Sequence, residues 1–113
     1  MADKITSEHH EQALLVQWFR RTYPGVLIYA IPNGGARGIA AAARLKVEGV
    51  VRGIPDLHVP AWGLWIEMKR TKGGRLSPEQ TAMIGYLGGI GQTVIVGLGF
   101  EAARDEIVRK YQK

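Results

Sequence analysis

The 113 residues contain no cysteine, which excludes disulfides, thiolate metal sites and cysteine nucleophiles. No apolar run approaches the ~20 residues of a membrane span, and residues 1–12 are polar, without the apolar core of a signal peptide. A soluble, cytoplasmic protein with no membrane contact is the expectation. Acidic residues are few: ten Asp and Glu stand against fifteen Lys and Arg, a formal charge of +5 that suits a polyanionic partner. There is no internal repeat, low-complexity tract or linker-like segment. The length suffices for one domain, residues 1–113, with a modest core.

Glycine is abundant instead. Fifteen glycines are about twice the ordinary ~7% share and mark turns between short elements. Ser7 can cap a helix running to about Thr22, with Leu14, Leu15, Trp18 and Phe19 as its apolar stripe. Val26 to Ile31 reads as a strand stopped by Pro32-Asn33-Gly34-Gly35, and Ile39 to Glu48 as an alanine-rich helix closed by Gly49. Asp56 to Val59 and Gly63 to Lys69 read as an antiparallel pair of strands. Thr71 to Leu76 is a basic, glycine-bearing loop, and Ser77-Pro78-Glu79-Gln80 has the cap, proline and reciprocal glutamine of a helix start. That helix runs to about Leu87, Thr93 to Val96 gives a further strand, and Phe100, Ala103, Ile107, Val108 and Tyr111 have the spacing of a last helix. The predicted fold class is α/β: a small mixed β-sheet flanked by α-helices.

Three polar side chains interrupt this apolar pattern: Asp56, Glu67 and Lys69. Residues two apart in a strand share a face, so Glu67 and Lys69 project side by side, and burying them unpaired would be costly. A divalent cation between Asp56 and Glu67, with the Lys69 ammonium close by, compensates them and builds a hydrolytic centre. Paired carboxylates supply the hard oxygen ligands that Mg²⁺ prefers, and the bound metal lowers the pKa of its water. Lys69 could hold the attacking water, neutralise a pentacovalent phosphate or take a proton. The bland alternative is a surface strand with an ordinary salt bridge between Glu67 and Lys69.

Gly53-Ile54-Pro55-Asp56, a ten-residue gap and Glu67-Met68-Lys69 resemble the PD-(D/E)XK nuclease signature. Ile31-Pro32-Asn33-Gly34-Gly35, Glu48-Gly49 and Leu76-Ser77-Pro78-Glu79-Gln80 narrow the resemblance to the VRR-NUC branch, the virus-type replication-repair nucleases, over roughly Glu8 to Tyr111. The resemblance implies a restriction-endonuclease-like fold and Mg²⁺- or Mn²⁺-dependent hydrolysis of branched DNA, such as a Holliday junction or a flap, leaving a 5′-phosphate and a 3′-hydroxyl. Small stand-alone members occur in phage and prophage genomes, which implies a bacterial cytoplasm. By position, Asp56, Glu67 and the backbone carbonyl of Met68 would be metal ligands and Lys69 the catalytic lysine. The family also places a glutamate on the first helix. Glu11 is preferred over Glu8, because it stands four before Leu15 and seven before Trp18 on the apolar face. Gln80 either joins the active site or only caps its helix.

Arg37, Arg44, Lys46, Arg52, Arg70, Lys72 and Arg75 would make a phosphate-facing surface if they converge. Asn33-Gly34-Gly35 is either a turn or a loop bringing backbone amides to a phosphate. His9 and His10, adjacent on a helix, cannot chelate together, and His58 is read as an edge or core histidine rather than a ligand. The three tryptophans are read as core or turn packing. Because one such centre cuts one strand, a symmetric homodimer is expected. Two rivals remain: a nucleic-acid-binding module that does not cut, and a sequence-specific restriction-type endonuclease.

Overall fold

In the computed structural model, residues 7–32 and 38–111 are described. Two of the expected phosphate-facing residues, Asn33 and Arg37, lie outside the described residues. Helix α1 spans Glu8–Thr22 and starts where Ser7 accepts a hydrogen bond from the His10 N–H. Glu8 and Glu11 in its first turn and Arg20 and Arg21 in its last both complement the helix dipole. Its buried residues, Glu11, Leu15 and Phe19, are four apart and form one stripe.

The first strand is shorter than the apolar run 26–31 suggests. Strand β1 is Tyr29–Ala30, pairing only with His58 and Leu57 of β2 (Leu57–Val59), and a last rung runs from the Ile31 N–H to the Asp56 carbonyl at 2.8 Å. The preceding residues serve packing instead, with Ile28 entering the core at 1% exposure. Helix α2, Ile39–Val47, ends at Glu48 and Gly49 as predicted and buries none of its residues.

After β2, a single 3₁₀ turn at Pro60–Trp62 and a left-handed Gly63 (φ 57°) reverse the chain into β3, Leu64–Lys69. The two strands pair antiparallel, with Leu57 opposite Ile66, His58 opposite Trp65 and Val59 opposite Leu64. Helix α3, Pro78–Gly89, begins with a full capping box between Ser77 and Gln80. It crosses over to β4, Thr93–Leu98, which lies parallel to β3 along all six residues, two further than predicted. Helix α4, Phe100–Tyr111, closes the fold. The sheet order is β1-β2-β3-β4, a mixed sheet flanked by helices, as expected.

Strand parity sorts the chemistry. Leu57, Val59, Leu64, Ile66, Met68 and Ile95 point into a core shared with Leu15 and Phe19 of α1 and Ala103 and Ile107 of α4. Full burial of each large aliphatic side chain stabilises the fold by about 1.5–3 kcal/mol. The alternate residues of β3, namely Trp65, Glu67 and Lys69, therefore turn to the opposite face. The start of α3 reaches that face, because Gln80 touches Glu67.

Candidate active site

The β2–β3 ladder ends at the Leu57–Ile66 rung, and beyond it a side chain replaces the backbone partner. Asp56 Oδ2 accepts the Met68 N–H at 2.7 Å. This bond fixes the Asp56 carboxylate beside β3, on the face that carries Glu67. The sequence-predicted trio thus converges. Lys69 Nζ stands 3.9 Å from Glu67 Oε2, and the two residues are 8% and 1% exposed, which is far from a solvated surface salt bridge.

Glu67 is the centre of the arrangement. Its Oε2 accepts the Gln80 side-chain N–H at 3.1 Å and faces Lys69, whereas its Oε1 is buried and has no hydrogen-bond partner among the described residues. Burial pushes the Glu67 carboxyl from its ordinary 4.5 up to about 8. The charge of the neighbouring Asp56 raises it further; Lys69 pulls it down, and Glu8 adds a smaller upward push. A bare buried carboxylate oxygen next to a second carboxylate fits a hard divalent cation. A positive charge there satisfies the oxygen and removes the repulsion together. Among the described residues no three His, Asp or Glu side chains form a metal cage. The donor set is thus a carboxylate pair, the sparse arrangement with which Mg²⁺ keeps several waters.

Gln80 caps its helix and also touches Glu67. Its Oε1 accepts the Ser77 N–H at 2.8 Å, its backbone N–H donates to Ser77 Oγ at 3.1 Å, and its side-chain amide nitrogen is thereby aimed at Glu67. Glu11 goes elsewhere. Its carboxylate Oε1 accepts the Phe100 N–H at 2.6 Å and so caps α4, where a carboxylate also meets the positive end of the helix dipole. The apolar-face argument that favours Glu11 finds the core-facing side of α1, and that side meets α4. Glu8, one turn earlier, is the helix acid whose charge Glu67 feels.

The basic residues divide by element. Arg70, Lys72 and Arg75 are exposed on the loop between Lys69 and the cap of α3. Arg52 is exposed beside Gly53, and Gly53 packs against the backbone of Glu79 and Gln80 at the start of α3. Arg44 and Lys46 are exposed on α2.

Sequence reasoning passed over a second row on the same face. Trp18 and Trp62 pack against the core as expected, but Trp65 lies flat against His58, with centroids 3.8 Å apart and planes 15° apart. The Tyr29 hydroxyl is 2.7 Å from His58 Nδ1, and Trp65 Nε1–H donates to Gln92 Oε1 at 3.1 Å. Burial holds the His58 pKa below its usual value. A sequence signal for this row existed: His58 and Trp65 stand two residues from Asp56 and Glu67, on the same faces of their strands.

No protein-family model and no curated protein matches the chain. Among solved structures, a VRR_NUC domain protein shares the fold at a TM-score of 0.79, with 24% sequence identity over 97% of this chain and 91% of that one. Among the described residues, no helix is long and apolar enough to cross a membrane.

Proposed function

We propose that this chain is a metal-dependent nuclease of the VRR-NUC type, which hydrolyses phosphodiester bonds in branched DNA and leaves a 5′-phosphate and a 3′-hydroxyl. The observation that carries this reading is the buried Oε1 of Glu67, without a hydrogen-bond partner among the described residues, on a carboxylate whose other oxygen faces the Lys69 ammonium and which feels the charge of Asp56. The fold that the chain shares with a solved VRR_NUC domain protein supports it.

Asp56, Glu67 and the Met68 carbonyl would hold Mg²⁺ or Mn²⁺, which supplies Lewis-acid stabilisation of phosphoryl oxygens and a more acidic bound water. The chain's own groups do the rest. Gln80 and Lys69 hold Glu67 Oε2, which fixes the rotamer of the carboxylate and leaves Oε1 as its bare ligand atom. The Lys69 ammonium offers a buried positive charge to the phosphate and a donor to the attacking water. Asp56 is held in line by the Met68 N–H, so both carboxylates are positioned before substrate arrives. Glu8, at the start of α1, is a further acid within electrostatic reach, and Glu11 anchors α4.

Arg52, Arg70, Lys72 and Arg75 would take the DNA backbone next to the site, with Arg44 and Lys46 on α2 as an outlying basic surface. A symmetric homodimer presents two such centres to two strands of a junction in the bacterial cytoplasm. The test is cleavage of labelled junction, flap, splayed and plain duplex DNA with Mg²⁺, with Mn²⁺ and with chelator. Cutting of branched substrates that needs the metal and falls at least ~100-fold in Lys69→Ala and Glu67→Ala, with binding retained, is the expected result. Binding without cutting in every condition would favour a non-catalytic module, and discrete fragments from plain duplex a restriction-type enzyme.

A further inference from the structure

We propose that His58 is a substrate-binding residue whose Nε2–H holds the phosphate adjacent to the one being cut. The inference rests on the nuclease reading and adds a neutral donor to it. Tyr29, His58 and Trp65 are cross-strand neighbours on β1, β2 and β3, registered Tyr29 with His58 and His58 with Trp65. They form a row across the sheet. The next row along the strands, two residues away, is Asp56 and Glu67. Two strand residues span about 7 Å, the reach of one extended nucleotide step, so a strand seated on the catalytic row passes over this one.

The row is built to present one polar atom. The His58 ring is clamped between Trp65, stacked at 3.8 Å, and Tyr29, edge-on at 5.3 Å, so its orientation is fixed from both sides. Its Nδ1 is taken by the Tyr29 hydroxyl at 2.7 Å. With the hydroxyl donating to Nδ1, the ring carries its proton on Nε2. That N–H has no partner among the described residues, and His58 is partly open to solvent. Trp65 is itself tied down by Gln92, so the stack is a fixed support. A rigid donor beside a carboxylate pair suits a phosphate oxygen, the acceptor that a DNA strand supplies at every step.

His58→Phe keeps a ring against Trp65 and removes the donor. On the branched substrate that the wild type cuts, KM is expected to rise about tenfold, with kcat changed less than twofold. The salt dependence of KM should keep its slope, because a neutral donor displaces no counter-ion, whereas Arg70→Ala should flatten it by about one charge. His58→Gln, which returns an N–H near the same place, should restore most of the loss. Tyr29→Phe, which frees the imidazole tautomer but leaves the stack, should raise KM about threefold.

An active wild type alongside His58→Phe with unchanged KM overturns this inference alone. So does a loss in His58→Phe that His58→Gln fails to restore while both hold the wild-type near-ultraviolet circular dichroism. If His58→Phe does not fold, Tyr29→Phe decides by the same KM reading. A wild type that cuts no DNA structure overturns the nuclease reading, and this inference with it.

Discussion

Glu67 shows how one residue can couple stability to chemistry. Between pH 4.5 and about 8 the metal-free folded chain keeps a proton on Glu67 that the unfolded chain releases. Its raised pKa therefore favours folding at acid pH, and the benefit is lost as pH rises through about 8. With chelator at pH 8, Glu67→Gln should melt several degrees above the wild type, a gain on the order of 1–3 kcal/mol. Thermal unfolding followed at pH 5 and pH 8 measures this, and the difference should shrink at pH 5, where both side chains are neutral. Adding Mg²⁺ at pH 8 should raise the melting temperature of the wild type and leave that of Glu67→Gln nearly still, because only the wild type has the charged ligand. Equal responses of the two proteins to Mg²⁺ would remove Glu67 from the metal site.

At the scale of elements, the site depends on how α3 and α4 are seated. Gly53 has φ +89°, and a Cβ there would stand 2.5 Å from the Glu79 carbonyl oxygen, so any larger residue both strains the loop and lifts the start of α3. Gly53→Ala should withdraw Gln80 from Glu67 and slow cleavage by about 10–100-fold, with DNA affinity nearly unchanged. Single-turnover rates beside an equilibrium binding assay separate the two. The Glu11 cap on α4 has a different signature. Glu11→Gln keeps an acceptor but loses the charge at the helix start, and should cost about 1 kcal/mol in denaturant unfolding while cleavage at low temperature holds within about twofold. A collapse of activity in a folded Glu11→Gln protein would place Glu11 in the chemistry instead.

For the whole molecule, the formal charge of +5 becomes useful only through its placement. Arg70, Lys72 and Arg75 follow directly on Lys69, and Arg52 flanks the same helix start, so DNA affinity should fall steeply with salt. The proposed symmetric dimer predicts twice the 12.4 kDa chain mass by sedimentation equilibrium at micromolar concentration. A monomer under those conditions that still cuts both strands of a junction would show that two centres need not be joined beforehand.

The sequence by itself determined the order of elements, the helix caps and the trio Asp56, Glu67 and Lys69. Each is written in local period: two along β3, four along α1, and a cap three residues from its partner in Ser77 and Gln80. Only the tertiary structure shows that Glu11 meets the start of α4, since Glu8 and Glu11 lie on one helix and the difference is which neighbour each turn meets. It alone also brought the capping Gln80 to Glu67, and Tyr29 and Trp65 to His58 across strands that are far apart in the chain. Contacts between separate elements depend on how those elements dock, and docking is fixed by the packed core rather than by the spacing of any one segment.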